Sequence, residues 1–114
     1  MPYIQVNTSK KLNEQDKDAI KSKLGELISI LPGKSESVLM VGVNDSDAMY
    51  FGGEKKDLAF VDVRLFKESD FESKSRFTEA VFLFLKQKLG IAEENVFLSI
   101  GEYNTWGHNG RLKR

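Results

Sequence analysis

The sequence predicts an α+β fold: two β-α-β repeats forming a four-stranded mixed sheet with two helices on one face. Three observations carry this expectation. Sliding the 114-residue chain along itself by 57 residues matches its two halves without a gap. Two apolar segments recur at helical spacing, and four runs rich in β-branched and aromatic residues flank them. The match places Val6 on Val63, Lys10 on Lys67, Lys17 on Lys74, Gly33 on Gly90, Glu36 on Glu93 and Gly53 on Gly110. Apolar positions follow suit, with Ile4 on Val61, Ile20 on Phe77, Leu24 on Val81, Ile28 on Leu85 and Val41 on Leu98. The chain reads as one domain, 1–114, with pseudo-repeats 1–57 and 58–114.

In chain order, residues 2–7 predict a strand that opens on Pro2, where a missing N–H costs little. Asn13 ahead of Glu14 and Asp16 predicts an N-cap, and Ile20, Leu24, Leu27, Ile28 and Leu31 form the apolar face of a helix that Gly33 closes. Residues 38–43 predict the second strand, and Phe51-Gly52-Gly53 a hairpin or bend with positive φ. The second repeat has a strand at 58–66, a helix with Phe77, Val81, Phe84, Leu85 and Leu89 ending at Gly90, and a strand at 95–101. Two glycines flank His108-Asn109, which reads as a turn. The right-handed crossover rule puts both helices on one face of the sheet.

Seventeen basic residues balance seventeen acidic ones, so no field draws in nucleic acid or an anionic membrane. The lysines at 10, 11, 17, 21 and 23 are interleaved with acids and read as a solvated helix face. Cysteine is absent, which removes disulfides, thiolate catalysis and the common zinc motifs. No apolar run reaches the roughly 20 residues of a membrane span, and no signal peptide is visible, so the expected location is the cytoplasm.

Strands covered on one face should alternate apolar with polar residues, yet Val38 to Val41, Leu58 to Val61 and Val96 to Leu98 are apolar in succession. Two helices cover one face only. The expectation is an apolar second face that meets another copy, a homo-oligomer, with a tolerated apolar patch as the alternative.

Met1-Pro2, Asn7-Thr8 after the first strand, Gly33-Lys34 after the first helix, Met49-Tyr50-Phe51-Gly52-Gly53, and Lys88-Leu89-Gly90-Ile91 leading to Asn95-Val96-Phe97 occur in an order and spacing that resembles the macrophage migration inhibitory factor family of the tautomerase superfamily. The resemblance covers almost the whole chain. It implies a homotrimer whose sheets wrap an inner channel, and a cofactor-free keto-enol tautomerase acting on phenylpyruvate-like α-keto acids. It also implies the rival reading of a cytokine-like signalling protein, released without a signal peptide, that binds a receptor and keeps only a vestigial pocket. Decarboxylase or hydratase chemistry, known elsewhere in the superfamily, calls for an extra charged partner that the sequence does not reveal.

On this resemblance Pro2 is the general acid/base once Met1 has been removed. An α-amine titrates near 7.7 to 8.0 in model compounds, and burial or a nearby cation lowers it toward working pH. Lys34 matches the family lysine that binds the substrate carboxylate, although a lysine behind Gly33 also complements the negative end of a helix. Phe66 matches the position whose backbone N–H contacts substrate. Phe97 replaces the tyrosine that closes the pocket from a neighbouring subunit, so an aromatic wall stays and the hydroxyl is lost. Ser99 replaces an asparagine and reads equally as a plain polar strand residue. Trp106, in the stretch Trp106-Gly107-His108-Asn109-Gly110, lines the pocket rim or cements a subunit contact, packing being the first reading. His108, the chain's single histidine, reads as a surface residue. Leu58 and Val61 stand where some family members have a Cys-x-x-Cys pair, which excludes thiol-disulfide activity.

Overall fold

The computed structural model describes residues 1–114. Strand β1 (Pro2–Thr8) leads to helix α1 (Glu14–Leu27) and strand β2 (Met40–Asn44), followed by a small hairpin of β3 (Tyr50–Phe51) and β4 (Glu54–Lys55). The second half runs through β5 (Ala59–Phe66), α2 (Phe71–Leu89) and β6 (Val96–Tyr103) to a second hairpin of β7 (Trp106–His108) and β8 (Arg111–Lys113). The main sheet has the order β2-β1-β5-β6. Its outer pairs, β1 with β2 and β5 with β6, are parallel, while β1 and β5 run antiparallel down the middle. The sheet is mixed, as the doubled β-α-β pattern predicts.

The helices form for local reasons. Asn13 accepts from the Asp16 N–H at 2.8 Å while the Asp16 carboxylate accepts from the Asn13 N–H at 3.2 Å, a reciprocal capping box. Asp70 caps α2 through the Ser73 N–H at 2.9 Å, and Gly90, at φ 68°, closes it by donating to the Lys86 carbonyl. Ser73, Phe77, Val81, Leu85 and Leu89 are the buried residues of α2, spaced four apart, and they face the sheet side of the molecule. With Ile20, Leu24 and Ile28 they pack onto Ile4, Val6, Val61, Val63 and Leu65.

Three expectations shift. α1 stops at Leu27, gives way to a 3₁₀ turn over Ile28–Ile30, and Leu31 is already extended at ψ 120°. Pro32 is the cause: its ring disfavours the helical conformation in the residue before it. Gly33, at φ 77°, only turns the chain. The second strand starts at Met40 rather than 38, because Glu36–Val38 form a 3₁₀ turn. The hairpin turn near the C-terminus falls on Asn109 and Gly110, at φ 55° and 80°, and places His108 in a strand. These are the positive-φ pair that a tight hairpin turn needs, and Gly52 and Gly53 supply the same pair at the equivalent point of the first half.

The largest correction concerns the open sheet face. In β1 and β5 every second residue is buried, so Tyr3, Gln5 and Asn7 share the uncovered side with Phe60, Asp62, Arg64 and Phe66. Its centre is polar. The Tyr3 hydroxyl donates to Gln5 at 2.7 Å, Gln5 to Asn7 at 3.3 Å, and Asn44 to Asn7 at 3.2 Å. Gly42 leaves room for the Gln5 amide to lie across it. Of the apolar runs that suggested a greasy second face, Leu39, Val41 and Leu98 are half-buried against the helix side, Leu58, Ala59, Val61 and Val96 are buried, and Val38, Met40 and Phe60 are exposed.

Substituting Phe77, fully buried, by alanine is expected to cost roughly 3–5 kcal/mol in urea unfolding. Acid should destabilise the fold in a defined window. Asp45 accepts from the Leu12 N–H, Ser46 and Lys17, which hold its carboxyl down at about 2, and Asp16, Asp70 and Glu102 are lowered chiefly by backbone N–H bonds. A folded-state pKa below the unfolded value of roughly 3.9 means that this stability is complete above that pH and is lost as pH falls toward about 2. Urea midpoints between pH 6 and 2 should drop there, and an Asp45→Asn variant should show a shallower fall.

Candidate active site

The start of β1, the start of β2 and the ends of β5 and β6 meet at one edge of the sheet. The 3₁₀ turn before β2 and the β7–β8 hairpin wall this end into an open cavity of about 770 Å³. Its lining includes Met1, Pro2, Leu39, Arg64, Tyr103 and Trp106. Pro2 is buried and paired with Leu65. The chain carries Met1 here, so the group presented is the Met1 α-amine, and the Pro2 nitrogen is an amide.

Phe66 is the joint of the site. Its N–H donates to the Met1 carbonyl at 3.3 Å, and its own carbonyl accepts from Lys34 Nζ at 3.0 Å. Lys34 arrives there because Gly33 reverses the chain and the Lys34 N–H closes that turn on the Leu31 carbonyl at 3.1 Å. The Phe66 ring packs against Trp106 at 6.1 Å between centroids, and the Lys67 ammonium lies 5.0 Å from its face. Burial first, then the charges of Lys34 and Lys113, lower the α-amine below its ordinary value, as expected when a cation is partly desolvated beside other cations.

Of the residues singled out from the sequence, Pro2, Lys34, Phe66 and Trp106 therefore gather at one place. Phe97 and Ser99 do not join them within the chain. Phe97 stands beside Phe60, five residue steps along β5 from Leu65, which is roughly 17 Å at strand spacing. It packs on Phe51 at 4.9 Å and lines a separate apolar cavity of about 260 Å³ with Tyr50 and Phe60. Ser99 is exposed beside Asp62 on the open face. His108 is exposed, but it stands in β7 rather than in the turn and lines the cavity wall from there.

Arg64 and Tyr103 were not anticipated. Arg64 lies two residues before Phe66, and strand periodicity alone puts both on one face. Tyr103 is the register partner of Phe66, and its ring folds back over Gly101, where a side chain would collide with it. Glu102 fastens the loop after β5 by accepting from the Ser69 N–H at 2.7 Å and from Lys74 at 2.9 Å.

Removing one cation from the amine's surroundings makes the protonated form easier to hold. Lys34→Ala is therefore expected to raise the α-amine pKa, measurable by pH-dependent NMR of the labelled N-terminus. No change would mean that Lys34 does not act on it.

Comparison with known proteins reaches the same fold. The Leishmania major protein MIF2 superposes with a TM-score of 0.90 at 22% identity, over 99% of this chain and 97% of that one. The macrophage migration inhibitory factor-like protein of Entamoeba histolytica gives 0.86 at 24% identity, over 98% of each chain. Pt0534 gives 0.83 at 13% identity, over 95% of this chain and 93% of that one. No match was found among curated protein sequences. The sequence model for the macrophage migration inhibitory factor (MIF) matches residues 1–111, and with nearly the whole chain covered, the protein belongs to the macrophage migration inhibitory factor family.

Proposed function

We propose that the protein is a keto-enol tautomerase for phenylpyruvate-like α-keto acids, with Pro2 as general acid/base after removal of Met1. The observation that carries this reading is the convergence of Lys34 and the Phe66 backbone on the chain's start, which itself lines the cavity. Loss of Met1 does two things at once. It turns the Pro2 nitrogen from an amide into a secondary amine, and it frees the Phe66 N–H, whose partner had been the Met1 carbonyl.

The amine then takes a proton from the carbon next to the keto group. The electron pair moves onto the keto oxygen, and the proton is returned to that oxygen to give the enol. Lys34 holds the substrate carboxylate, helped by the Phe66 N–H, while Leu39 and Trp106, the latter backed by the Phe66 ring, exclude water from the ring's side of the cavity. Burial and the nearby Lys34 charge, which lower the Met1 α-amine, are the surroundings that the Pro2 amine takes up after processing, and both favour its free base. Pt0534, of similar fold, was crystallised after inactivation by 2-oxo-3-pentynoate, a small α-keto acid, which supports a substrate of this class.

Phe97 and Ser99 complete the site from a second copy in a homotrimer, since their own chain places Phe97 at the far end of β5 and Ser99 beside Asp62 in its middle. In this arrangement Phe97 supplies an aromatic wall without a hydroxyl, and Ser99 a small polar group.

The test is a tautomerase assay on phenylpyruvate and 4-hydroxyphenylpyruvate, with intact mass confirming the cleaved N-terminus. Pro2→Gly should lower kcat by at least about 100-fold, the usual worth of a positioned general base. Equal rates for the two proteins would overturn the proposal and leave the cytokine-like reading, with a vestigial pocket, in its place.

A further inference from the structure

We infer that Arg64 is a second anion-binding group of this cavity, so that the site takes 2-oxo acids carrying a further carboxylate remote from the keto carbon. The inference rests on the proposed tautomerase reading and narrows its substrate class.

Position is the first argument. Arg64 stands opposite Tyr3 in the β1–β5 pairing, one residue before Leu65, the partner of Pro2. Its side chain lies on the open face with Phe66 and lines the 770 Å³ cavity from the side opposite the Leu39 and Met40 wall of β2 and its preceding turn.

Availability is the second. The guanidinium has one polar partner, Asp62, reached through a single contact from Nη2 at 3.3 Å, and its side chain is 54% exposed. Five N–H donors are present, and a bidentate pair would use two. The Tyr3 ring lies 6.0 Å away and gives the guanidinium an aromatic wall. The fork thus has free donors at the cavity.

Surroundings are the third. No carboxylate lines the cavity. Lys34 and Lys113 act on the amine at its base, and His108, Arg111 and Lys113 line an adjoining recess with Met1. The nearest acids are already engaged, Asp62 with Arg64 itself and Glu102 with Lys74 and the Ser69 N–H. Arg64 and the chain's start line the cavity itself, and Lys34 reaches the Phe66 carbonyl beside it. Such a site attracts a dianion more than a monoanion.

Desolvation is the fourth. A substrate with one carboxylate is served by Lys34 and the Phe66 N–H. Its apolar end would then displace water from a guanidinium holding a single long contact, which is unfavourable. A carboxylate there replaces that water with charge-assisted hydrogen bonds.

The test uses ligands that cannot turn over: 3-phenylpropanoate and 3-(4-carboxyphenyl)propanoate, titrated calorimetrically into the Met1-processed protein. The dicarboxylate should bind roughly tenfold more tightly, the order expected for a charged hydrogen bond. Arg64→Gln should abolish the preference, and Arg64→Lys should keep part of it; light scattering checks that assembly is unchanged. Should Arg64→Gln fail to assemble, the assembled Arg64→Lys protein gives the answer through its reduced preference. An equal preference in all three proteins, or none in the unaltered protein, overturns the role of Arg64. These outcomes are independent of turnover, so they are distinct from failure of the tautomerase reading, which shows as a Pro2→Gly variant of undiminished rate.

Discussion

The antiparallel seam between β1 and β5 is the constraint on which the rest of the molecule depends. Each repeat alone is a parallel pair of strands with one helix, and such a unit cannot bury its apolar side. Pairing Pro2 through Thr8 against Leu65 through Ala59 joins the two units and aligns Ile4 with Val63 and Val6 with Val61 beneath both helices. Period two in the strands allows no compromise, because a slip of one residue would turn every one of these side chains outward. The same register places Pro2 beside Leu65, so the alignment that builds the core also delivers the chain's start to the end of β5. Core and site are one solution.

From that point the site is assembled by backbone rather than by side-chain chemistry. Phe66 offers its N–H to the chain's start and its carbonyl to Lys34, and neither role depends on its being phenylalanine. Pro32 and Gly33 act in the same indirect way, the first ending the helical turn and the second reversing the chain so that Lys34 points back to β5. Glu102 steadies the following loop by charge and hydrogen bonds. A lysine at this point would complement a helix end in many folds; here the hydrogen bond to the Phe66 carbonyl gives it a different job.

The open face of the sheet shows how a sequence can mislead for a sound reason. Consecutive apolar residues in a strand normally mean cover on both faces. In β2 and β6 they mean something else, since both are edge strands whose inward residues sit at the margin of the helices and are only half-covered. Gln5, Asn7 and Asn44 fill the middle of the uncovered face with mutual hydrogen bonds. The apolar exposure lies instead in side chains such as Met40, Phe60 and Tyr103, outside that polar centre. Assembly therefore has to be argued from open edges and aromatic margins, not from a dry face.

The sequence by itself determined the doubled architecture, the helix caps, the core positions and the residues that mark the family. All of these follow from short-range rules: a period of 3.6 or 2, a capping residue at its fixed offset, a glycine where φ must be positive. The 57-residue offset even aligns the 3₁₀ turns at Glu36 and Glu93 and the hairpin turns at Gly53 and Gly110. The tertiary structure alone decided which residues meet. Arg64, Tyr103 and His108 reach the cavity because β5, β6 and β7 end together, and Phe97 and Ser99 miss it within the chain because β6 runs parallel to β5 and sets Phe97 at its other end and Ser99 at its middle. Spacing along a chain encodes a local conformation, whereas proximity across strands depends on register and direction, which are set only when the whole core packs.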